Sequence, residues 1–227
     1  MKKCVICQNS INEEINLLNL FSSTSTICKN CEPQLTFNLN DRRCKRCLKV
    51  LSSEENECLD CLWLSNRYQL INQLYTIYDY QGLIKELLHQ YKFMGDVAIA
   101  QIFQLPKNIL KQYDYIIPAP IHPNKLATRT FDHVTFVLDI QNVNYIQIFE
   151  TELRQKQSDL TKKQRSLQLN PFRINQEIEL ENKCILLVDD IYTTGLTIHQ
   201  LTELLFIRKI RKIDTLTFAR GGNNGKI

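Results

Sequence analysis

Four Cys-x-x-Cys pairs crowd the first 61 residues of this chain: Cys4/Cys7, Cys28/Cys31, Cys44/Cys47 and Cys58/Cys61. A two-residue gap turns both sulfurs of a pair toward one point, where a tetrahedral zinc ion binds thiolate at about 2.3 Å. Eight such ligands suffice for two closed Cys4 sites. A closed site keeps no coordination position for chemistry, so the expected role is structural. Disulfides or redox-active pairs are the other use of this spacing. No apolar run follows Lys2 and Lys3, as a secretory leader would require, and thiols stay reduced in the cytoplasm. The expected location is therefore the cytoplasm and the expected occupant Zn2+. Ligation can run sequentially, first pair with second and third with fourth, or interleaved. Spacers of 20 and 10 residues lean toward the sequential form without deciding it. So short a segment buries little core, and metal should drive its folding.

The same cysteines change how the charge is read. The formal charge is +4. Eight thiolates on two divalent ions leave a surplus of four negative charges, which cancels it, so attraction to nucleic acid has to come from a local patch. Arg42, Arg43, Lys45 and Arg46 surround the third pair. They fit phosphate contacts with nucleic acid, and equally cations that neutralise an anionic Cys4 site. Trp63 and Tyr68 could stack on bases, but packing between modules is the expected use.

The character of the chain changes near residue 65, giving an expected cysteine module over 1–65 and a second domain over 66–227. Hydrophobic residues make up 44% of the chain, enough for a packed core and too many for a mainly disordered one. No stretch approaches the 18 or so apolar residues of a membrane span. Beyond the boundary, apolar strands alternate with amphipathic helices, the pattern of an α/β domain with a parallel sheet. Strands are expected at Leu74–Tyr80, Asp114–Pro118, Asn144–Phe149, Cys184–Asp190 and Ile213–Ala219. A helix should follow Gly82 with Leu83, Leu87, Leu88 and Tyr91 on one face. Asp96 should cap a short helix, and Pro123 should open a long one running to Ile140. Ile198, Leu201 and Leu205 mark the inner face of a helix after Gly195. The polar stretch Glu152–Asn170 reads as a long loop.

The most informative stretch is ILLVDDIYTTGLT, Ile185–Thr197. A continuous apolar run, suited to a parallel strand covered on both faces, delivers Asp189 and Asp190 to its carboxyl end. A threonine-rich turn with Gly195 then opens a helix. Ligands of open parallel sheets bind at this edge. The turn offers backbone N–H groups and the hydroxyls of Thr193, Thr194 and Thr197 to a phosphate, and the helix adds the positive end of its dipole. Paired acids a few residues away suit two ribose hydroxyls. The implied ligand is a sugar 5′-phosphate. No G-x-x-x-x-G-K-[ST] sequence occurs, so this is not a P-loop.

VDDIYTTGLT resembles the 5-phosphoribosyl-1-pyrophosphate (PRPP) motif of type I phosphoribosyltransferases, and the whole chain is similar to the ComF family. The cysteine pairs, YKFMGD (Tyr91–Asp96), IIPAPIHPNK (Ile116–Lys125), RTFDH (Arg129–His133), Arg154/Gln157/Leu160, the run Arg165–Phe172 and the late FAR carry the likeness in order. The resemblance implies a doubly wound parallel sheet of phosphoribosyltransferase type beside a small zinc module. It implies that Asp189 and Asp190 hold the ribose hydroxyls, that Thr193, Thr194, Gly195, Leu196 and Thr197 cradle the 5′-phosphate, and that Mg2+ accompanies PRPP. It makes Glu152–Asn170 a loop that closes over pyrophosphate, with Arg154 and Arg165 as contacts, and Arg129 an anion contact near Pro118 and Pro120. RTFDH replaces the family's R-G-F-N-Q, which leaves His133 a weak catalytic candidate. The implied function is competence: handling of incoming single-stranded DNA in natural transformation, at the inner face of the cell membrane, with a helicase-like ATPase. A metabolic phosphoribosyltransferase with an unidentified acceptor and a non-catalytic zinc-ribbon scaffold are the alternatives, so turnover stays open.

Overall fold

The computed structural model describes residues 2–11, 25–35, 37–38, 40–151 and 170–222. Four strands form one parallel sheet: β1 (Leu74–Asp79), β2 (Tyr115–Pro118), β5 (Cys184–Tyr192) and β6 (Lys212–Arg220), in the order β1-β6-β5-β2. Ile185, Leu186, Leu187 and Val188 of β5 are all fully buried. Each such side chain is worth roughly 1.5–3 kcal/mol over leaving it exposed, and their alternation loads both faces. Leu186 and Val188 meet α2 (Gly82–His89), a tight 3-10 helix at Val97–Ile102 and α5 (His133–Ile140). Ile185 and Leu187 meet Ile198, Leu201 and Leu205 of α6 (Leu196–Phe206) on the other side. The sheet is covered on both faces, as the α/β reading requires.

Several element boundaries differ from expectation, each for a local reason. The long helix from Pro123 is two: α4 (Pro123–Arg129) ends where Thr130 turns left-handed, and Asp132 caps α5 by accepting from the N–H groups of Val134 and Thr135. A side chain that competes this well for the backbone starts a new helix. Asn144–Phe149 is not a sheet strand. Ile146 N–H reaches Ile116 O once, but β2 stops at Pro118, and pairing resumes only in a separate antiparallel hairpin, β3 (Phe149–Thr151) with β4 (Phe172–Ile174). Beyond α2 the chain widens into a π-helical turn, Gln90–Met94, closed by Gly95 at φ +71°. Asp96 does cap the next helix, accepting from Ala98 N–H, but that helix is of 3-10 type. Short helices α1 (Leu59–Ser65) and α3 (Lys107–Leu110) appear where none was expected.

The cysteine region carries a structural repeat. Residues 2–11 and 42–51 make the same knuckle. Cys4 and Cys44 each receive the N–H of the residue four on, Gln8 and Leu48, at 2.9 Å. Each also donates to the residue five on, Asn9 and Lys49, at 2.8 Å. Gln8 and Leu48 occupy the same left-handed position, φ 61° and 58°. The two halves dock on opposite faces of the sheet. Val5, Ile6, Ile27 and Leu35 pack on the α2–α5 side, whereas Cys47 and Cys58 are buried in the core on the α6 side. Tyr68 is buried with its ring 6.1 Å from His199, as packing requires, but Trp63 is 53% exposed and does not pack between modules.

Candidate functional site

The eight cysteines fall into two groups, Cys4/Cys7/Cys28/Cys31 and Cys44/Cys47/Cys58/Cys61, with the sulfurs of each group within 4.8 Å of one another. The grouping is therefore sequential, and each group could hold one ion. A tetrahedral ion with bonds of about 2.3 Å sets its sulfurs roughly 3.8 Å apart. The cross-pair distances match: 3.7 Å for Cys7–Cys28, 3.7 Å for Cys44–Cys61 and 3.6 Å for Cys47–Cys58. Burial and the neighbouring Cys28, Cys7 and Cys4 push the Cys31 thiol up to about 12. In Cys4 burial is outweighed by the N–H groups of Cys7, Cys28 and Ile6, which bring it down to about 6. In the second group a hydrogen bond with Cys61, acting against burial and aided by Lys49 N–H and Arg220, lowers Cys47 to about 5, while Cys61 is driven far upward. Four sulfurs this close ionise together only around a positive ion, and both sets fit zinc.

The second site of interest is the tip of β5. Gly195 sits at φ +80°, caps α6, and accepts from His199 N–H and Nδ1–H through its carbonyl. A Cβ there would lie 2.1 Å from the Tyr192 hydroxyl oxygen, so only glycine fits the turn. Thr193, Thr194 and Thr197 are exposed around it, and Leu196 N–H reaches Thr194 Oγ1 at 3.4 Å. Asp189 and Asp190 lie half-buried just upstream, with Asp190 N–H donating to Asp189 Oδ1 at 2.8 Å. Asp190 is engaged: Lys92 Nζ lies 2.5 Å from its Oδ2, and His133 Nε2 meets the same oxygen. The two acids are thus driven apart. Burial opposes ionisation of Asp190, but Lys92 and His133 hold it well below the usual carboxylate range. Burial and the Asp190 charge push Asp189 up to about 7.

Arg129 reaches this cluster through its neighbour, with Nη1 3.3 Å from His133 Nδ1 and its guanidinium over the Phe93 ring. His133 is buried and bonded to Asp190, a stronger placement than its substitution for a family glutamine suggested. Arg154 and Arg165, with nearly all of Glu152–Asn170, lie outside the described residues. Beside Pro118–Pro120, at the carboxyl end of β2, opens a cavity of about 630 Å³ lined in part by Asp132, Tyr145, Gln147 and Asn175.

The cationic cluster does not act as one patch. Arg43 is half-buried with its side chain 8% exposed; it grips both carboxylate oxygens of Asp79 and one of Asp41 at 2.9 Å, joining the module to the tip of β1, so its guanidinium is not presented to nucleic acid. Arg42 and Arg46 are exposed but donate to carbonyls, Arg42 to Glu55 at 2.8 Å and Arg46 to Ile71 at 2.7 Å. Lys45 is exposed.

Two residues were missed by reading the sequence. Lys92 follows Tyr91 and falls four residues after Leu88, a lone lysine on an apolar helix face, and that was its available signal. Arg220, at the end of β6, had none beyond its place in FAR. It is 2% exposed and its Nε–H donates to Cys47 O at 2.7 Å.

The phosphoribosyl transferase domain family matches residues 125–226. The competence protein ComFC of Streptococcus pneumoniae (strain ATCC BAA-255 / R6) is 28% identical across 96% of this chain and 100% of its own length. The protein of the same name from Bacillus subtilis (strain 168) is 24% identical across 96% and 94%. Among solved structures, a hypoxanthine phosphoribosyltransferase from Staphylococcus aureus aligns with 63% of this chain and 69% of its own at 14% identity and a TM-score of 0.31. Cysteine knuckles, glycine turn and full-length relatives point the same way: the chain is similar along nearly all of its length to ComFC competence proteins, with a phosphoribosyltransferase-like domain in its α/β part.

Proposed function

We propose that this chain is a competence factor that holds PRPP or a closely related sugar phosphate at the tip of β5 and assists the handling of single-stranded DNA. The observation that carries the ligand is the Gly195 turn, bounded by three exposed threonines on one side and by two adjacent acids on the other, one of them paired with Lys92 and His133. The 5′-phosphate would take N–H groups of the turn and of the start of α6, where the helix dipole is positive. Asp189 and Asp190 would accept from the ribose hydroxyls. Lys92 and His133 hold Asp190 ionised for this, and Arg129 stands one residue further out toward the pyrophosphate side. Mg2+ held with PRPP beside Asp189 and Asp190 would supply charge neutralisation. Arg154 and Arg165 are proposed pyrophosphate contacts.

Competence is the name carried by both full-length relatives. The partners proposed with it are single-stranded DNA, met by exposed Arg42, Lys45 and Arg46, and a helicase-like ATPase at the inner face of the membrane. Calorimetry of metal-quantified protein with PRPP and Mg2+ tests the ligand. Binding should be measurable, and Asp189→Asn with Asp190→Asn should weaken it by at least about ten-fold, the loss of one hydrogen bond to a charged group. No heat with the wild-type chain ends this reading and leaves a zinc-ribbon scaffold. DNA binding should fall steeply with salt and weaken further on Lys45→Glu with Arg46→Glu.

The cavity at the end of β2 favours a second reading, in which an acceptor occupies it and displaces pyrophosphate from PRPP. A screen of bases and amines for pyrophosphate release decides between binding and transfer.

A further inference from the structure

The buried guanidinium of Arg220 is a junction. Nε–H donates to Cys47 O at 2.7 Å, and Nη1 donates to Thr193 O at 2.9 Å and Tyr192 O at 3.2 Å. Nη2 lies 3.8 Å from Cys47 Sγ and 3.7 Å from Asp60 Oδ2, inside the fourth cysteine pair. Its plane also lies over the Tyr192 ring, 5.0 Å from the centroid. One planar group with five N–H donors thus spans a cysteine knuckle and the turn that follows β5.

What it holds on the turn side matters. Within a planar trans peptide the C=O and the next N–H point in opposite directions, and no cis bond occurs in the described chain. The Tyr192 carbonyl also accepts from Gly221 N–H at 2.9 Å, so Arg220 shares that carbonyl and holds the Thr193 carbonyl with its own N–H, which aims the N–H groups of Thr193 and Thr194 away from the guanidinium. Those are the first amides of the anion cradle. On the knuckle side Cys47 is 1% exposed, and Asp60, held by Lys49 at 3.1 Å, sits between its two ligand cysteines. The first cysteine group meets the domain through Val5, Ile6, Ile27 and Leu35, on the face of the sheet away from α6.

We infer that Arg220 is a positioning residue that couples the second cysteine centre to the sugar-phosphate turn, so that metal on Cys44, Cys47, Cys58 and Cys61 sets the aim of the Thr193 and Thr194 amides, while metal on the first centre does not. The inference rests on the reading of that turn as an anion site, yet the coupling itself is read without ligand. Arg220→Lys keeps the charge but cannot reach a knuckle carbonyl and two turn carbonyls together. Gln at this position loses both charge and reach.

The experiment is amide hydrogen exchange on the full chain carrying two zinc ions, followed at residues 193–197. Arg220→Gln and Arg220→Lys should each speed exchange there by at least about ten-fold, as expected when a local opening becomes cheaper. Cys61→Ser, which opens the second centre, should do the same, and Cys7→Ser, which opens the first, should change it by less than about two-fold. If Cys61→Ser fails to fold, the two Arg220 variants carry the test alone. Reciprocity requires the turn to act back on the metal: with cobalt in place of zinc, PRPP with Mg2+ should shift the thiolate-to-cobalt absorption of the wild type and leave that of Arg220→Lys unmoved. Equal exchange at 193–197 in wild type and both Arg220 variants overturns the coupling. A wild type that shows the exchange difference but no heat with PRPP overturns the ligand reading and leaves the coupling standing.

Discussion

The two cysteine centres begin with the same knuckle and end in different company. The first keeps one ligand, Cys7, exposed and touches the domain through apolar side chains. The second exposes none of its ligands, shares the α6-side core, and is joined to the sheet by Arg43–Asp79, by Arg220, and by the Leu74 N–H on Arg46 O at 2.8 Å. A repeated local motif therefore does not imply a repeated job. Its sequence settles which atoms could bind a metal, and the surroundings settle what losing a bound metal would cost. The boundary near residue 65 separates two kinds of sequence, while the packing crosses it.

The comparison can be broken most directly at the ligands. Cys47→Ser should lower the stability of the whole chain by more than about 4 kcal/mol, since it removes a metal ligand and a buried core residue together. Cys4→Ser should melt the first module and leave the sheet's transition in place. Differential scanning calorimetry distinguishes the two, and a matching loss for both would erase the distinction. Next in size is the ion pair. Asp79→Asn leaves the Arg43 guanidinium with Asp41 as its one remaining carboxylate partner, and urea unfolding should report a loss of about 1–3 kcal/mol. Gly195→Ala should cost about 1–2 kcal/mol from the left-handed backbone alone, with a further clash against Tyr192, and should weaken PRPP binding; an unchanged Tm would contradict the turn described.

The smallest effect is on pH. Asp189 has a folded value of about 7, above its unfolded one, so the protein binds its proton more tightly than the unfolded chain does. Its contribution is whole below about pH 4 and is lost as pH rises toward about 7. Asp190, held below its ordinary range, acts oppositely and loses its contribution only in acid. Asp189→Asn should therefore flatten the decline in urea midpoint between about pH 4 and 7. Wild-type affinity for PRPP should increase across the upper part of that window, as the carboxylate becomes available to accept.

Much of this was legible before any coordinates. β5 is plain because a strand buried on both faces leaves an unbroken apolar run, α6 because Ile198, Leu201 and Leu205 keep helical spacing, and the glycine turn because the backbone there excludes other residues. The cysteine spacing named its own ligands. The π-turn at Gln90–Met94, the break at Thr130 and the irregular path over Asn144–Ile148 were not plain, because each depends on a competing partner: Gly95, the Asp132 cap, or a β2 too short to pair with. Lys92 and Arg220 were hidden for a stronger reason. Each acts on a group far away in the chain, and nothing in its own neighbourhood marks the partner. Arg43 looked like a phosphate contact because Asp79 lies 36 residues on.

The bond from Arg220 to Cys47 spans 173 positions, and its neighbour in the ladder, Asp79, receives Arg43 from the same knuckle. During synthesis Cys47 emerges 173 positions ahead of its anchor Arg220. Until then the nascent cysteine segment has its own turns, its metal and the early Asp79 contact to keep it in shape. A shortage of zinc in the growing cell should thus do its harm on the ribosome, before a mature fold exists to protect the site.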